Sequence, residues 1–326
     1  MTAATIGRPG FAFQAIAIAT LAALFVGSLF VGVTNLSIRS LVSDPEALRL
    51  VMVSRLPRTL AALLAGSALA IAGLVMQTLA RNRFVEPATA GTAQSAALGI
   101  LVVTLVWPNA ALGWKAAGAA ATALAGTSLF LMLAHRLPPT QPFLVALFGL
   151  VYGGVIGAVA TFLAWRLDLL QYVEVWMTGE FSGILRGRYE LLWVAGALVA
   201  LALWTADRLT ILSMGRDASI GLGLNYAGVL RFGLVIVSAV TALIVVVVGT
   251  IPFVGLVVPN IVSRFAGENL RHTLPWVAGG GAALVLACDM IGRLIRFPYE
   301  VPVGTVLGVV GAVLFLILLL GRNRND

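Results

Sequence analysis

The chain has 326 residues, 60% of them hydrophobic and only 10% charged, with a mean hydropathy of +1.02. A water-soluble domain carries roughly 25% charged residues, so the composition excludes one and requires a bilayer protein built from helices whose backbone hydrogen bonds close internally. The formal net charge of +8 is scattered over many short loops, which argues against a nucleic-acid partner and for solvated helix ends and contact with membrane lipid.

Apolar runs broken by charge or proline predict spans at 13–34, 58–80, 88–107, 111–134, 142–165 and 189–206. After a polar stretch come 229–248, 252–266, 274–295 and 303–320. The expected fold is an all-α polytopic membrane protein of ten transmembrane helices, one domain over 1–326. The first run is longer than a signal-peptide core and lacks an A-x-A site near its end, so it reads as a retained helix. The eighth is short enough to be a broken or partly buried helix. An even count puts both termini on one side. With the termini inside, Arg8, Arg81, Arg83, Arg136, Arg208, Arg216, Arg231, Arg264, Arg271, Arg322 and Arg324 lie there and the other ten basic residues lie outside, so basic residues alone do not orient the chain.

Between the second and third runs stands RNRFVEPATAGTAQSAALG, residues 81–99. Pro87 disfavours helix at its predecessor and forces a turn, and the small residues from Ala88 to Ala97 make a helix that neighbours can approach closely. A faint echo follows later: Phe84-Val85 before Pro87, then Phe253-Val254 before Pro259. In the ten-span topology these two turns fall on opposite sides of the membrane, as an inverted repeat requires.

Enzymatic signatures are missing from the sequence. The single lysine, Lys115, precedes Ala116, so no P-loop exists and ATP hydrolysis is not expected in this chain. His135 and His272 are not spaced as a metal pair, no G-x-S-x-G occurs, and the lone Cys288 is expected to pack as a small hydrophobe. An ion-coupled carrier places ionisable groups deep in the membrane. The best candidate here, Asp289, lies near the end of its span and four residues before Arg293, a spacing that permits an ion pair instead. Energy for transport then has to come from a partner. A landing surface for one is offered by 207–231, which Gly215, Gly221 and Gly223 break into short helical pieces, although a plain amphipathic connector fits the same residues.

RLPRTLAALLAGSALAIAGLVMQTLARN (55–82), LSMGRDASIGLGLN (212–225) and GTIPFVGLVVPNIVSR (249–264) together resemble the FecCD/BtuC family of ABC importer permeases. VEVWMTGEFSG, LACDMIGR and YEVPVGTVLGVVGA continue the match in order, so it covers about 55–320. The resemblance implies a type II importer: a second permease subunit, two ATPase subunits that hold ATP and Mg, no cofactor in this chain, and a periplasmic or lipid-anchored binding protein. It places both termini in the cytoplasm and the chain in the bacterial inner membrane. It makes Asn82 and Phe84 candidates for a cytoplasmic gate, and Arg55, Arg58 and Arg293 candidates for docking the binding protein. Within a coupling segment at 207–228 it singles out Gly215, Arg216, Asp217, Ile220, Gly221, Leu222 and Gly223 as the ATPase contact, Gly221 and Gly223 supplying turns with positive φ. The sequence departs from the usual RNPLADP pattern, with Arg83 in place of Pro and Glu86 in place of Asp, and carries Asn260 where His is common. The Asn tilts the cargo towards a ferric siderophore; cobalamin or haem are the alternatives within the family, and an ion-coupled secondary carrier outside it. Nothing in the sequence marks a dedicated cargo pocket, which leaves selectivity to the binding protein.

Overall fold

The structure, a computed structural model, describes residues 11–32, 34, 37, 39, 44–138, 141–267 and 269–320. Its helices are α1 (Phe11–Phe30), α2 (Pro45–Ala80), α3 (Thr92–Val106), α4 (Leu112–Ala134), α5 (Pro142–Arg166), α6 (Leu170–Met177) and α7 (Leu191–Trp204). Then come α8 (Ala206–Ser213), α9 (Arg216–Gly221), α10 (Tyr226–Val247), α11 (Val254–Ala266), α12 (Leu270–Ile295) and α13 (Val303–Leu320). Among the described residues seven helices are long and apolar enough to cross a bilayer, α7 and α8 pass that test together with a 64° bend, and α3 and α11 are shorter apolar helices. Each of the ten expected runs is thus a helix or a bent pair. Residues 1–10 and 321–326, which hold Arg8, Arg322 and Arg324 of the charge count, lie outside the described residues.

The largest change of boundary is at α2, which starts at Pro45 and not near 58. Asp44 caps it, its Oδ1 accepting the Glu46 N–H at 2.9 Å, and Pro45 fills a first-turn position that needs no donor. Pro57 removes the N–H that the Val53 carbonyl would accept; one π turn, Val51–Arg55, precedes it, and the Arg186 N–H donates to Val53 O at 3.0 Å instead.

α2 is the central post: 78% of its apolar window is buried, against 6% for α1. Glycines set its distance from neighbours. A Cβ on Gly66 would stand 2.3 Å from the Gly281 carbonyl oxygen of α12, and one on Gly73 would stand 2.1 Å from that of Gly255 in α11. Backbones therefore touch along this post, where dispersion, not hydrophobicity, drives helices together in lipid.

The two short helices begin inside the bundle. Thr92 at the start of α3 meets Thr127 of α4, hydroxyl to hydroxyl at 2.8 Å, which is about 22 Å along α4 from Leu112 and about 10 Å from Ala134. Gly255 at the start of α11 lies against Gly73, about 10 Å from the Ala80 end of α2. From that shared depth α3 runs towards the end of the bundle marked by Arg58, bringing Trp107 beside Trp114, while α11 runs towards the end marked by Arg81. The two turns expected on opposite sides of the membrane therefore meet inside it. The repeat is inverted by the directions in which the half-helices leave, not by the location of their turns.

Candidate functional site: a gate loop laced to a half-helix

Arg81 ends α2 in the left-handed region, φ 49°, and the Asn82 N–H turns back to the Gln77 carbonyl at 2.9 Å. Asn82 is 4% exposed; its Oδ1 accepts the Phe84 N–H at 2.8 Å, an Asx turn that fixes the loop's tip. Phe84 is half-buried and sets its ring edge-on to Phe315 of α13 at 6.1 Å. The two gate candidates thus share one turn at the Arg81 end.

Two bonds lace that turn to α11, and a third joins α11 to the last turns of α2. Glu86, 2% exposed, accepts the Phe253 N–H at 2.9 Å and so supplies a carboxylate cap to a helix whose own cap residue, Phe253 at φ 68°, has no polar side chain. Asn260 Nδ2 donates to the Arg83 carbonyl at 2.9 Å, and Gln77 Nε2 donates to the Gly255 carbonyl at 3.1 Å. The departures Glu86 and Asn260 are both parts of this lacing: the longer carboxylate reaches the helix start, and the amide takes the loop carbonyl. No spacing could have announced it, since Glu86 and Phe253 are 167 residues apart.

The three docking candidates are all engaged by groups within the chain. Arg55 is 7% exposed and its guanidinium donates to the carbonyls of Leu29, at 3.0 Å, and of Thr34. Arg58 pairs with Asp289 at 2.7 Å and with Glu300 at 2.8 Å. Arg293, 4% exposed, pairs with Asp289 one helical turn away and donates to the Ser28 carbonyl at 3.0 Å. The pairing read from the Asp289–Arg293 spacing is present and larger than expected: one buried carboxylate serves two arginines. Burial of this kind is sustained by the mutual pairing of the charges.

The coupling segment is a short exposed helix between two left-handed glycines, Gly215 at φ 104° and Gly223 at φ 78°. Gly221 instead closes α9 as its last helical residue and has no positive φ, which corrects that expectation. Ile220 and Leu222 are 54% and 62% exposed, and Arg216, Asp217, Gly221 and Gly223 are exposed beside them. Ser219, buried, ties the piece to α8 through the Ile211 carbonyl at 2.8 Å. Gly215 abuts Arg81, whose Nη2 would lie 3.2 Å from a Cβ there, so the segment touches the residue where the gate loop starts. α12 is joined to the same region by the Leu270 N–H on Thr210 Oγ1 at 3.2 Å and by Arg271 with Asp207 at 3.2 Å.

A multi-pass bundle with inverted half-helices, a laced loop at one end and an exposed helical piece beside it is the architecture of a transport permease, and the FecCD transport family matches residues 16–321. The chain belongs to that family. It is 43% identical over 302 residues, 92% of this chain and 95% of the relative, to the petrobactin import system permease protein YclN of Bacillus subtilis. To the petrobactin permease FatD of Bacillus anthracis it is 40% identical over 309 residues, 95% of this chain and 91% of the relative. A vitamin B12 permease, BtuC of Citrobacter koseri, is 34% identical over 83% of this chain and 82% of its own length. An inward-facing structure of a metal-chelate type ABC transporter superposes with a TM-score of 0.80 at 23% identity, covering 95% of this chain and all of that one, which shows the shared fold.

Proposed function

We propose that this chain is the membrane permease of an ATP-binding cassette importer that carries a ferric siderophore across the bacterial inner (cytoplasmic) membrane. The observation that carries the reading is the 43% identity with a petrobactin permease along nearly the whole of both chains, against 34% with a cobalamin permease over shorter stretches. In this reading the Arg81 end faces the cytoplasm with both termini, and the Arg58 end faces the periplasmic side. The exposed face of α9, with Ile220 and Leu222 between Gly215 and Gly223, docks a separate ATPase that holds ATP and Mg; this chain performs no hydrolysis and needs no cofactor. A second permease, a copy or a relative, covers the exposed apolar faces of α5 and α13, where Leu150, Val151 and Val155 and then Val309, Val313 and Ile317 stand outward. With Arg55, Arg58 and Arg293 engaged internally, the binding protein's carboxylates meet the basic side chains this end exposes, Arg49, Arg186, Arg188 and Arg296.

Transport then follows from the contacts. Closure of the ATPases pushes α9 against Arg81 and α8 against the start of α12; the gate loop and α11, laced through Glu86, Asn260 and Gln77, shift together and open or close the passage beside Asn82 and Phe84. The test is iron accumulation in a strain deleted for this gene. Cells should lose uptake of radioiron-labelled ferric petrobactin and regain it with the gene on a plasmid. Deleted cells that keep full ferric-petrobactin uptake but lose cyanocobalamin or haem uptake would overturn the siderophore assignment.

A further inference from the structure

Non-helical backbone at membrane depth is stable only where protein buries it or a wet cavity faces it. Four such breaks converge in this chain: the gate loop near Glu86, the stretch after α6 at Thr178, the stretch before α11 at Thr250, and the start of α13 at Gly304. They line an open cavity of about 440 Å³ that lies beyond the gate loop, on the Arg58 side of Phe84. Main-chain bonds hold its walls to one another. The Gly304 N–H donates to the Gly179 carbonyl at 2.9 Å, the Thr250 N–H to the Trp176 carbonyl at 3.0 Å, and Thr250 Oγ1 to the Met177 carbonyl at 2.6 Å. With Phe253 on Glu86, no wall moves alone.

A passage between such walls could be inert, yet this one presents unspent polar groups. Gln94, in the first turn of α3, donates from Nε2 to the Ala88 carbonyl at 3.2 Å, while its buried Oε1 meets no donor among the described residues. A buried carbonyl oxygen without a partner is costly, and a site that keeps one has a use for it. Thr178 and Thr305 face the same cavity, both exposed and neither hydroxyl engaged among the described residues. An acceptor and two hydroxyls on a rigid frame match a cargo whose rim carries amide N–H and hydroxyl donors together with carbonyl and carboxylate acceptors.

We propose that Gln94, Thr178 and Thr305 form a contact site for the ferric chelate within the pathway, so that this chain takes part in selecting its cargo. The proposal rests on the siderophore reading given above. It requires the permease to bind the chelate without the binding protein. The test is equilibrium binding of radioiron-labelled ferric petrobactin to the complete permease–ATPase assembly in lipid nanodiscs, with ATP hydrolysis followed in parallel. Saturable binding is expected. Gln94→Met and Thr305→Val should each weaken it by about fivefold, the worth of one neutral hydrogen bond, without changing basal ATP hydrolysis. Thr305→Val removes a hydroxyl with no partner among the described residues, so it decides the matter should Gln94→Met fail to assemble. An assembly that imports the chelate with its binding protein yet shows no saturable binding alone, or binds equally well in both variants, overturns this site and leaves the siderophore reading standing. An assembly that hydrolyses ATP but neither binds nor imports any ferric chelate overturns both.

Discussion

The two ends of the bundle are held by different physics. At the Arg58 end, Asp289 is 2% exposed and shared by Arg58 and Arg293, with Glu300 completing the set. At the Arg81 end the described bonds are main-chain and amide contacts around one carboxylate, together with an ion pair, Arg271 with Asp207, whose side chains are 69% and 66% exposed. Breaking a buried pair strands a charge in a poor solvent, whereas an exposed pair exchanges for water at almost no cost. One end is therefore a clamp, and the other can be rearranged by a modest push. That asymmetry fits the proposed function, in which the Arg58 end receives a binding protein and the Arg81 end an ATPase.

The comparison is broken most violently at Asp289. Asp289→Ala leaves two buried guanidinium groups sharing Glu300 and carbonyls, and should destabilise the permease by about 3–5 kcal/mol. The measurement is thermal unfolding in detergent, where a fall of only a degree or two would mean that the cluster is solvated. Glu86→Ala removes the cap of α11 and should cost about 1–2 kcal/mol. The protein should still insert, but stimulation of ATP hydrolysis by loaded binding protein should drop, because the gate loop no longer moves with α11. Gly223→Val forces a side chain into a left-handed position, φ 78°, at a cost of about 1 kcal/mol. Normal membrane expression with weakened ATPase attachment and little uptake is the expected pattern; full uptake and stimulation would make the segment a connector. Arg271→Ala should be the mildest change, under about 1 kcal/mol and smaller still at high salt. A large loss of stability there would contradict the soft-end description.

Much of this was legible in the sequence, and the part that was not has a physical reason. Spans such as α10 and α13 announce themselves because lipid tolerates few charges along a crossing helix, so their apolar runs have clear edges. The same logic misplaced the start of α2. Arg49, Arg55 and Arg58 look like a loop to a hydropathy count, but they ride on the first turns of a continuous helix, two of them engaged by Leu29, Thr34, Asp289 and Glu300 from distant parts of the chain. The docking candidates Arg55, Arg58 and Arg293 were visible as charges at helix ends, but that Arg58 and Arg293 share Asp289, or that Arg55 ties α2 to the end of α1, was not. The half-helices were legible as apolar segments but not as halves. Composition reports that residues 92–106 belong in the membrane, and says nothing of the depth at which Gly91 begins the helix in a left-handed turn. Glycines 215 and 223 were readable as turn-makers because only glycine takes those angles freely, while Gly221 is a helix residue that the same rule over-counted.

The energy source is the point on which the whole account turns, because an ion-coupled carrier was the reading from another class. The direct measurement is uptake of radioiron-labelled ferric petrobactin into liposomes holding the full assembly, with binding protein supplied on the Arg58 side and ATP on the Arg81 side. Uptake should require ATP, stop when the catalytic site of the partner ATPase is disabled, and continue when ionophores collapse proton and sodium gradients. Uptake that proceeds without ATP and vanishes with the ion gradients would contradict the account.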